Sequence, residues 1–260
     1  MSFLHEEVQF ESNGNTLMGN LLYPTKKKFN PPYPAVVHYH GFPGDANKLA
    51  GVGISLVKAG YAFLSFDFQG HRSSEGKFSL AGEVQNAIDA LDFVKNQTFV
   101  EIDESRIGVY GVSLGGAVAI CTSAKRKDIS LTVVRVPVYD THDFFNFPWI
   151  PETFRTMSLY MPEEVRDLDK PGKLDDLKAE ATQTKNNPMD VVGDISPRKL
   201  FILASGQDEL IPIQGVRRLF DRTRKPRILK IQPFADHNLS SPEFFHEAVG
   251  IVCKWFKEHL

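Results

Sequence analysis

The sequence predicts an α/β domain: a mostly parallel, doubly wound sheet, entered through an N-terminal antiparallel hairpin and interrupted once by a small lid-like insertion. Three observations predict it. Short apolar runs bounded by Gly, Pro and polar residues alternate with segments of helical periodicity, as in a parallel sheet flanked by helices. The first two apolar runs instead flank Asn13-Gly14-Asn15, a strong hairpin signal. Residues 139–197, rich in aromatics and prolines, break the alternation late in the chain.

The elements follow in order. Val8–Glu11 and Leu17–Tyr23 are the hairpin strands, and Pro24 and Pro31-Pro32 punctuate the loop behind them. Ala35–Tyr39 is a buried strand ending at His40-Gly41. Lys48–Lys58 carries Leu49, Val52 and Leu56 at helical spacing. Ala62–Phe66 is a strand, and Asp67–Gly76 a polar loop. Leu80, Val84, Ala87, Ile88, Leu91 and Val94 mark an amphipathic helix. Arg106–Tyr110 is a strand and Gly115–Ser123 a helix of small residues. Further strands are expected at Leu131–Val138, Lys199–Ala204 and Arg227–Ile231. A last helix runs from Pro242 to Lys257, capped by Ser241, with Phe245, Val249, Val252 and Phe256 on one face. Within the insertion, helical pieces are expected near Pro162–Leu168 and Leu174–Thr182. The whole chain, 1–260, is expected to be one domain, with 139–197 as a lid or cap within it.

Composition narrows the function classes. Lys plus Arg number 30 and Asp plus Glu 32, a net charge of -2 with no long run of one sign. Lys26-Lys27-Lys28, the densest basic cluster, reads as a solvated turn, so nucleic acid is not an expected partner. Cys121 and Cys253 fall in apolar helical stretches and read as small core residues, not as a disulfide framework. The first ten residues carry His5, Glu6 and Glu7 and lack the apolar run of a signal peptide. No run approaches the ~20 apolar residues of a membrane span. The expectation is a cytoplasmic protein without a membrane partner; a homo-oligomer is not indicated.

Gly111-Val112-Ser113-Leu114-Gly115 has the form G-x-S-x-G, set between an apolar strand and a Gly- and Ala-rich helix. A sharp strand-to-helix turn would lift the Ser113 hydroxyl above the sheet edge, and small residues on both sides would relieve the crowding. A serine hydroxyl needs a base to take its proton. His237, in Ala235-Asp236-His237-Asn238 between the last strand and the last helix, has the place for it. His38 is inside a strand, and His246 and His259 lie on the terminal helix. His71 and His142, in loops, are weaker candidates. The orienting carboxylate is expected off the preceding strand at Asp208, with Glu209 and Asp236 as rivals. Charge developing on a carbonyl oxygen calls for backbone donors. Leu114 N–H, opening the helix, and Phe42 N–H, in His40-Gly41-Phe42-Pro43-Gly44, are the candidates; Pro43 has no N–H to give.

Taken together, H-G-F-x-G, the loop Asp67–Ser73, G-x-S-x-G-G and the late G-x-D and D-H resemble the α/β-hydrolase superfamily, over roughly Val8 to Leu260. Within it the chain is similar to the dienelactone-hydrolase-like and bacterial feruloyl (cinnamoyl) esterase group. The resemblance implies an α/β-hydrolase fold, the chain order Ser, Asp, His, and a substrate-covering insertion where 139–197 lies. Dienelactone hydrolases proper carry Cys at the elbow, where this chain has Ser113.

The reaction expected is ester hydrolysis through an acyl-enzyme, on a small-molecule substrate, with no cofactor and no metal. Phe144, Phe147, Trp149 and Met157, with Met161, have two readings: an apolar acyl or aryl pocket, or the insertion's own packing. A peptidase or thioesterase on the same scaffold is the rival among enzymes, and a non-catalytic binding module the rival outside them. Arg135, inside an otherwise apolar strand, has no account at this level.

Overall fold

A computed structural model describes residues 3–47, 51–161, 164–168 and 170–260. β1 (Phe3–Ser12) and β2 (Asn15–Pro24) pair antiparallel with Ser12 opposite Asn15. Asn13 and Gly14 both have positive φ, 52° and 72°, as the tightest hairpin turns require. β2 continues antiparallel onto β4 (Ala62–Phe66). From there the sheet is parallel, through β3 (Tyr33–Tyr39), β5 (Ile102–Val112), β6 (Leu131–Arg135), β7 (Lys199–Ser205) and β8 (Arg227–Gln232). The spatial order is β1-β2-β4-β3-β5-β6-β7-β8 in one 8-stranded sheet.

Helices cover both faces because the central strands are apolar on both. Alternate β3 residues divide between two cores: Val37 and Tyr39 on one face, Val36 on the other. The first face is covered by α2 (Leu80–Asn96) and α3 (Leu114–Lys125), the second by α1 (Val52–Lys58). Between β6 and β7 the chain forms α4 (Thr141–Phe144), α5 (Ile150–Tyr160), α6 (Lys173–Gln183) and α7 (Pro188–Val191). Then α8 (Ile213–Arg222) joins the first face and α9 (Pro242–His259) the second. Ser79 caps α2 by accepting from Gly82 N at 3.0 Å.

Several boundaries depart from expectation for identifiable reasons. β6 stops at Arg135, not Val138. Val136 has φ 41°, outside strand geometry, and Val138 N–H donates to Ser113 O at 3.0 Å. α1 is helical from Val52; Lys48 and Leu49, expected at its start, lie outside the described residues. The piece expected at Pro162–Leu168 also begins on residues outside those described. Its remainder, 164–168, makes turns and a bridge from Val165 to His71. α5 was legible in retrospect, since Ile150, Phe154 and Met157 are buried at helical spacing. α8 carries the same kind of stripe, with Val216 and Leu219 buried and Ile213 and Phe220 partly buried between arginines. Ser241 sits at the start of α9, but its side chain makes no capping bond. Burial of Val252 and Phe256, both 0% exposed, anchors that helix instead. Cys121 and Cys253 are buried free thiols.

Phe256→Ala removes a fully buried ring between α9 and the sheet. It should lower unfolding free energy by about 3–5 kcal/mol, read by urea denaturation, with the hairpin face left native in near-UV signature.

Candidate active site

The β5–α3 junction is a sharp elbow. Ser113 has φ 55° and ψ -119°, a conformation a non-glycine residue holds only when its surroundings enforce it. They do so through hydrogen bonds: Ser113 N–H donates to Arg135 O at 3.0 Å, and Ser113 O accepts from Gly116 N at 2.9 Å and Val138 N at 3.0 Å. The elbow is pressed against the end of β3. A Cβ on Gly115 would lie 2.2 Å from Tyr39 O and 2.3 Å from His40 O, contacts no side chain tolerates.

The three residues singled out in the chain order Ser, Asp, His converge here. His237 Nε2 is 3.1 Å from Ser113 Oγ, and His237 Nδ1 is 2.9 Å from each carboxylate oxygen of Asp208. Asp208 follows β7, and its Oδ1 also accepts from Leu210 N at 3.0 Å and Ile211 N at 2.7 Å. Those backbone donors aim the carboxylate. The rivals do other things. Glu209 accepts from the backbone N–H of His237 at 3.4 Å. Asp236 accepts from Ser240 N at 2.8 Å, and the Ser240 side chain and backbone hold its carboxyl below the usual carboxylate range. Of the other candidate bases, His142 lies by Thr184 O and Asn187, away from Ser113. His71 is fully buried, and burial pushes its pKa well below the ordinary value, so it is neutral.

The loop after β3 reaches over the elbow. A Cβ on Gly41 would lie 3.2 Å from Ser113 Cβ, so Gly41 permits the approach that puts Phe42 beside Ser113. His40 ties this loop down: its Nε2 accepts from Phe68 N at 3.1 Å and its Nδ1 contacts Gly41 O at 2.8 Å. Leu114 is the first residue of α3, so its N–H has no acceptor within the helix. Beyond the loop, Arg72 donates to Gly44 O at 3.3 Å, lies 3.4 Å from Asp45 and pairs with Glu164 of the insertion.

A cavity of about 320 Å³ opens beside Ser113 and His237. Its walls include Gly41 and Phe42, Trp149 and Leu210, Arg135, and Phe245 and Val249 of α9. Of the insertion residues considered for a pocket, Trp149 lines this cavity, and its Nε1 donates to Leu210 O at 3.1 Å beside the Asp208 turn. Phe144, Phe147 and Met157 do not. Phe144 and Met157 are buried in the insertion's packing, and Phe147 meets Phe144 edge-on and Trp149 at a tilt. Met161 is exposed. Phe144, Phe147 and Met157 thus pack within the insertion, and Met161 does neither. Phe154 of α5 instead meets Phe42, with ring centroids 5.5 Å apart.

Arg135, singled out by residue type but left without a role, donates from Nη1 to His237 O at 2.8 Å and so props the histidine loop. An arginine at the end of a central apolar strand was itself the signal. His38 and Tyr110, which also line the cavity, were passed over as strand residues. Among the described residues no cluster of three or more His, Cys, Asp and Glu side chains is placed to hold a metal ion, and no helix is long and apolar enough to cross a membrane.

This fold and this elbow define an α/β hydrolase. Residues 30–198 match the family model described as serine aminopeptidase, S33, and the chain belongs to that hydrolase family. An uncharacterized protein of Mycobacterium tuberculosis is 24% identical over 208 residues, 79% of this chain; the match spans 63% of that relative's length. Among solved structures, Est1E from Butyrivibrio proteoclasticus with ferulic acid bound superimposes with a TM-score of 0.73 at 22% identity, covering 97% of this chain and 98% of that one. An acetyl xylan esterase from Paenibacillus sp. R4 gives 0.74 at 19% identity, covering 100% and 85%. At such identities the two structures speak for the fold.

Beneath the loop after β3 a second polar pair is sealed from water. His71 Nε2 and Glu83 Oε1 are 3.9 Å apart, both side chains buried. Burial, then the charge of Glu180, pushes the Glu83 carboxyl well above its ordinary value of 4.5. The folded protein thus keeps Glu83 protonated while the unfolded chain ionises it. The unfolded state then binds fewer protons, so stability falls as pH rises from about 4.5 toward the raised folded value. Glu83→Gln removes that loss. Its stability relative to the parent should rise between pH 5 and pH 8 in urea titrations; parallel curves would mean that Glu83 is ionised in the fold.

Proposed function

We propose that the protein is a serine hydrolase that cleaves carboxylic esters through an acyl-enzyme, with Ser113 as nucleophile, His237 as base and Asp208 as its orienting acid. The observation that carries this reading is the continuous contact from Asp208 to His237 Nδ1 and from His237 Nε2 to Ser113 Oγ. In the first step His237 takes the Ser113 proton as Oγ bonds to the ester carbonyl carbon. The carbonyl oxygen, now negative, is held by Leu114 N–H and Phe42 N–H. Asp208 keeps the imidazole in the tautomer with Nδ1–H and stabilises the imidazolium. His237 then gives its proton to the departing alcohol oxygen, the C–O bond breaks, and Ser113 is left acylated. A water, deprotonated by His237, repeats the attack and releases the acid. In this reading residues 139–197 are the lid, contributing Trp149 to the cavity wall.

An ester is favoured over a peptide N-terminus by the cavity's charge. An aminopeptidase must hold a substrate ammonium, yet Arg135 lines this cavity, and Asp45, which lines it too, lies against Arg72. Cleavage of p-nitrophenyl esters, with aminoacyl p-nitroanilides as the competing panel, tests the choice; turnover confined to the anilides would reverse it.

Ser113→Ala and His237→Ala should each lower kcat on a p-nitrophenyl ester by about 10⁴-fold or more, with folding intact by circular dichroism. A fluorophosphonate should label the parent at Ser113 and leave Ser113→Ala unlabelled. Asp208→Asn should cost about 10⁴-fold, whereas Asp236→Asn should stay within a few-fold, because Asp236 faces Ser240. Steady-state kinetics on the two variants decide the acid.

A further inference from the structure

The cavity beside Ser113 runs below the carboxyl ends of β3 to β6, between the sheet and the pair α1 and α9, where Val52, Phe63, Phe245 and Val249 line it. Besides Ser113, His237, Asn238, His40 and an Asp45 that pairs with Arg72, the strands themselves send polar side chains into it: His38 from β3, Tyr110 from β5 and Arg135 from β6. They share a face by strand alternation. Leu131 and Val133 of β6 belong to the core on the α1–α9 side and Val134 to the other, so Arg135 follows Val133.

Arg135 is held in place from two directions. Its backbone carbonyl accepts from Ser113 N, one strand over, and its Nη1 donates to His237 O at 2.8 Å. Tyr110, on the adjacent strand β5, shares this face of the sheet and lines the same cavity. Five N–H donors are available on a guanidinium, and these contacts leave some for a further partner. Among the described residues no carboxylate forms an ion pair with it. His38 does not compete as a cation. It stacks against Phe63 and Tyr110 with Nδ1 at 3.0 Å from Ser65 Oγ, and burial pushes its pKa down to about 3. An anchored cation without an anion, in a mostly apolar cavity that also holds the nucleophile, is a site awaiting a negative group.

We propose that Arg135 and Tyr110 form a subsite for a carboxylate on the substrate, so that the enzyme selects esters carrying a free carboxylate. The inference rests on the serine-hydrolase reading and adds to it the charge of the substrate. A planar guanidinium matches a carboxylate with paired hydrogen bonds, and the Tyr110 hydroxyl adds a donor.

The test compares p-nitrophenyl monoesters of succinate, glutarate and adipate with counterparts in which the free carboxylate is a methyl ester. For the parent, kcat/KM of the best acid substrate should exceed that of its methylated counterpart by about 10- to 100-fold, the range one charge-assisted contact spans. Arg135→Gln should bring this ratio close to one, Arg135→Lys should restore part of it, and Tyr110→Phe should reduce it without removing the cation. Glutarate should slow fluorophosphonate labelling of the parent but not of Arg135→Gln. A parent ratio near one overturns the subsite. So does a fall in Arg135→Gln that hits both ester series equally, since that would make Arg135 only a prop for the His237 loop. Labelling separates the two levels: a parent labelled at Ser113 without carboxylate preference loses the subsite alone. A parent that is neither labelled nor active on any ester loses the hydrolase reading, and the subsite with it.

Discussion

The backbone contact between the β5–α3 elbow and the end of β3 governs the rest of the molecule. The first turn of α3 lies against the carbonyls of Tyr39 and His40 so closely that Gly115 has no room for a Cβ. That contact places the His40–Gly44 loop over Ser113 and points the N–H groups of α3's first turn toward the same space. It also commits Ser113 to φ 55°, a conformation held by hydrogen bonds that its carbonyl accepts from α3 and from the chain leaving β6. Strain at one residue is spread over three neighbouring elements, which explains why β6 ends where it does.

From that point the site assembles by sheet order rather than by chain order. β6 lies beside β5, and β7 beside β6, so the turns after β5, β6 and β7 are lateral neighbours along one edge. Ser113 leaves β5, Arg135 ends β6 and Asp208 follows β7. His237, after β8, returns across this edge and meets all three: the hydroxyl at Nε2, the carboxylate at Nδ1 and the guanidinium at its backbone oxygen. Parallel strands make this convergence general, because every strand delivers its following turn to the same side.

The insertion between β6 and β7 couples to the site through few, specific contacts. Trp149 bonds the turn that carries Asp208, Phe154 meets Phe42, and Glu164 pairs with Arg72, which also holds Gly44 O. Each joins an insertion residue to a loop that shapes the cavity. The polar pair of His71 and Glu83 lies below, and burial disfavours the charged form of each.

The fold, and the residues that converge at its sheet edge, were largely legible from residue order. Asn-Gly between apolar runs, strands apolar on both faces, and a serine between glycines at a strand-to-helix step are local patterns whose physics is local too. The order Ser113, Asp208, His237 could be read because parallel α/β topology places successive turns at one sheet edge. Choosing Asp208 over Asp236 went further than local pattern, and only the tertiary structure displays the reason: Asp236 is spent on Ser240, while two backbone N–H groups aim Asp208 at the imidazole. The cavity was not legible either. Trp149 faces it while Phe144, Phe147 and Met157 pack away from it, because composition does not state which side of a short helix is buried. Arg135 stood out in the sequence as an oddity, but its role depends on a histidine loop more than a hundred residues later in the chain. Residue order thus determined the chemistry available; three-dimensional packing decided the shape and charge of the space in which that chemistry would act.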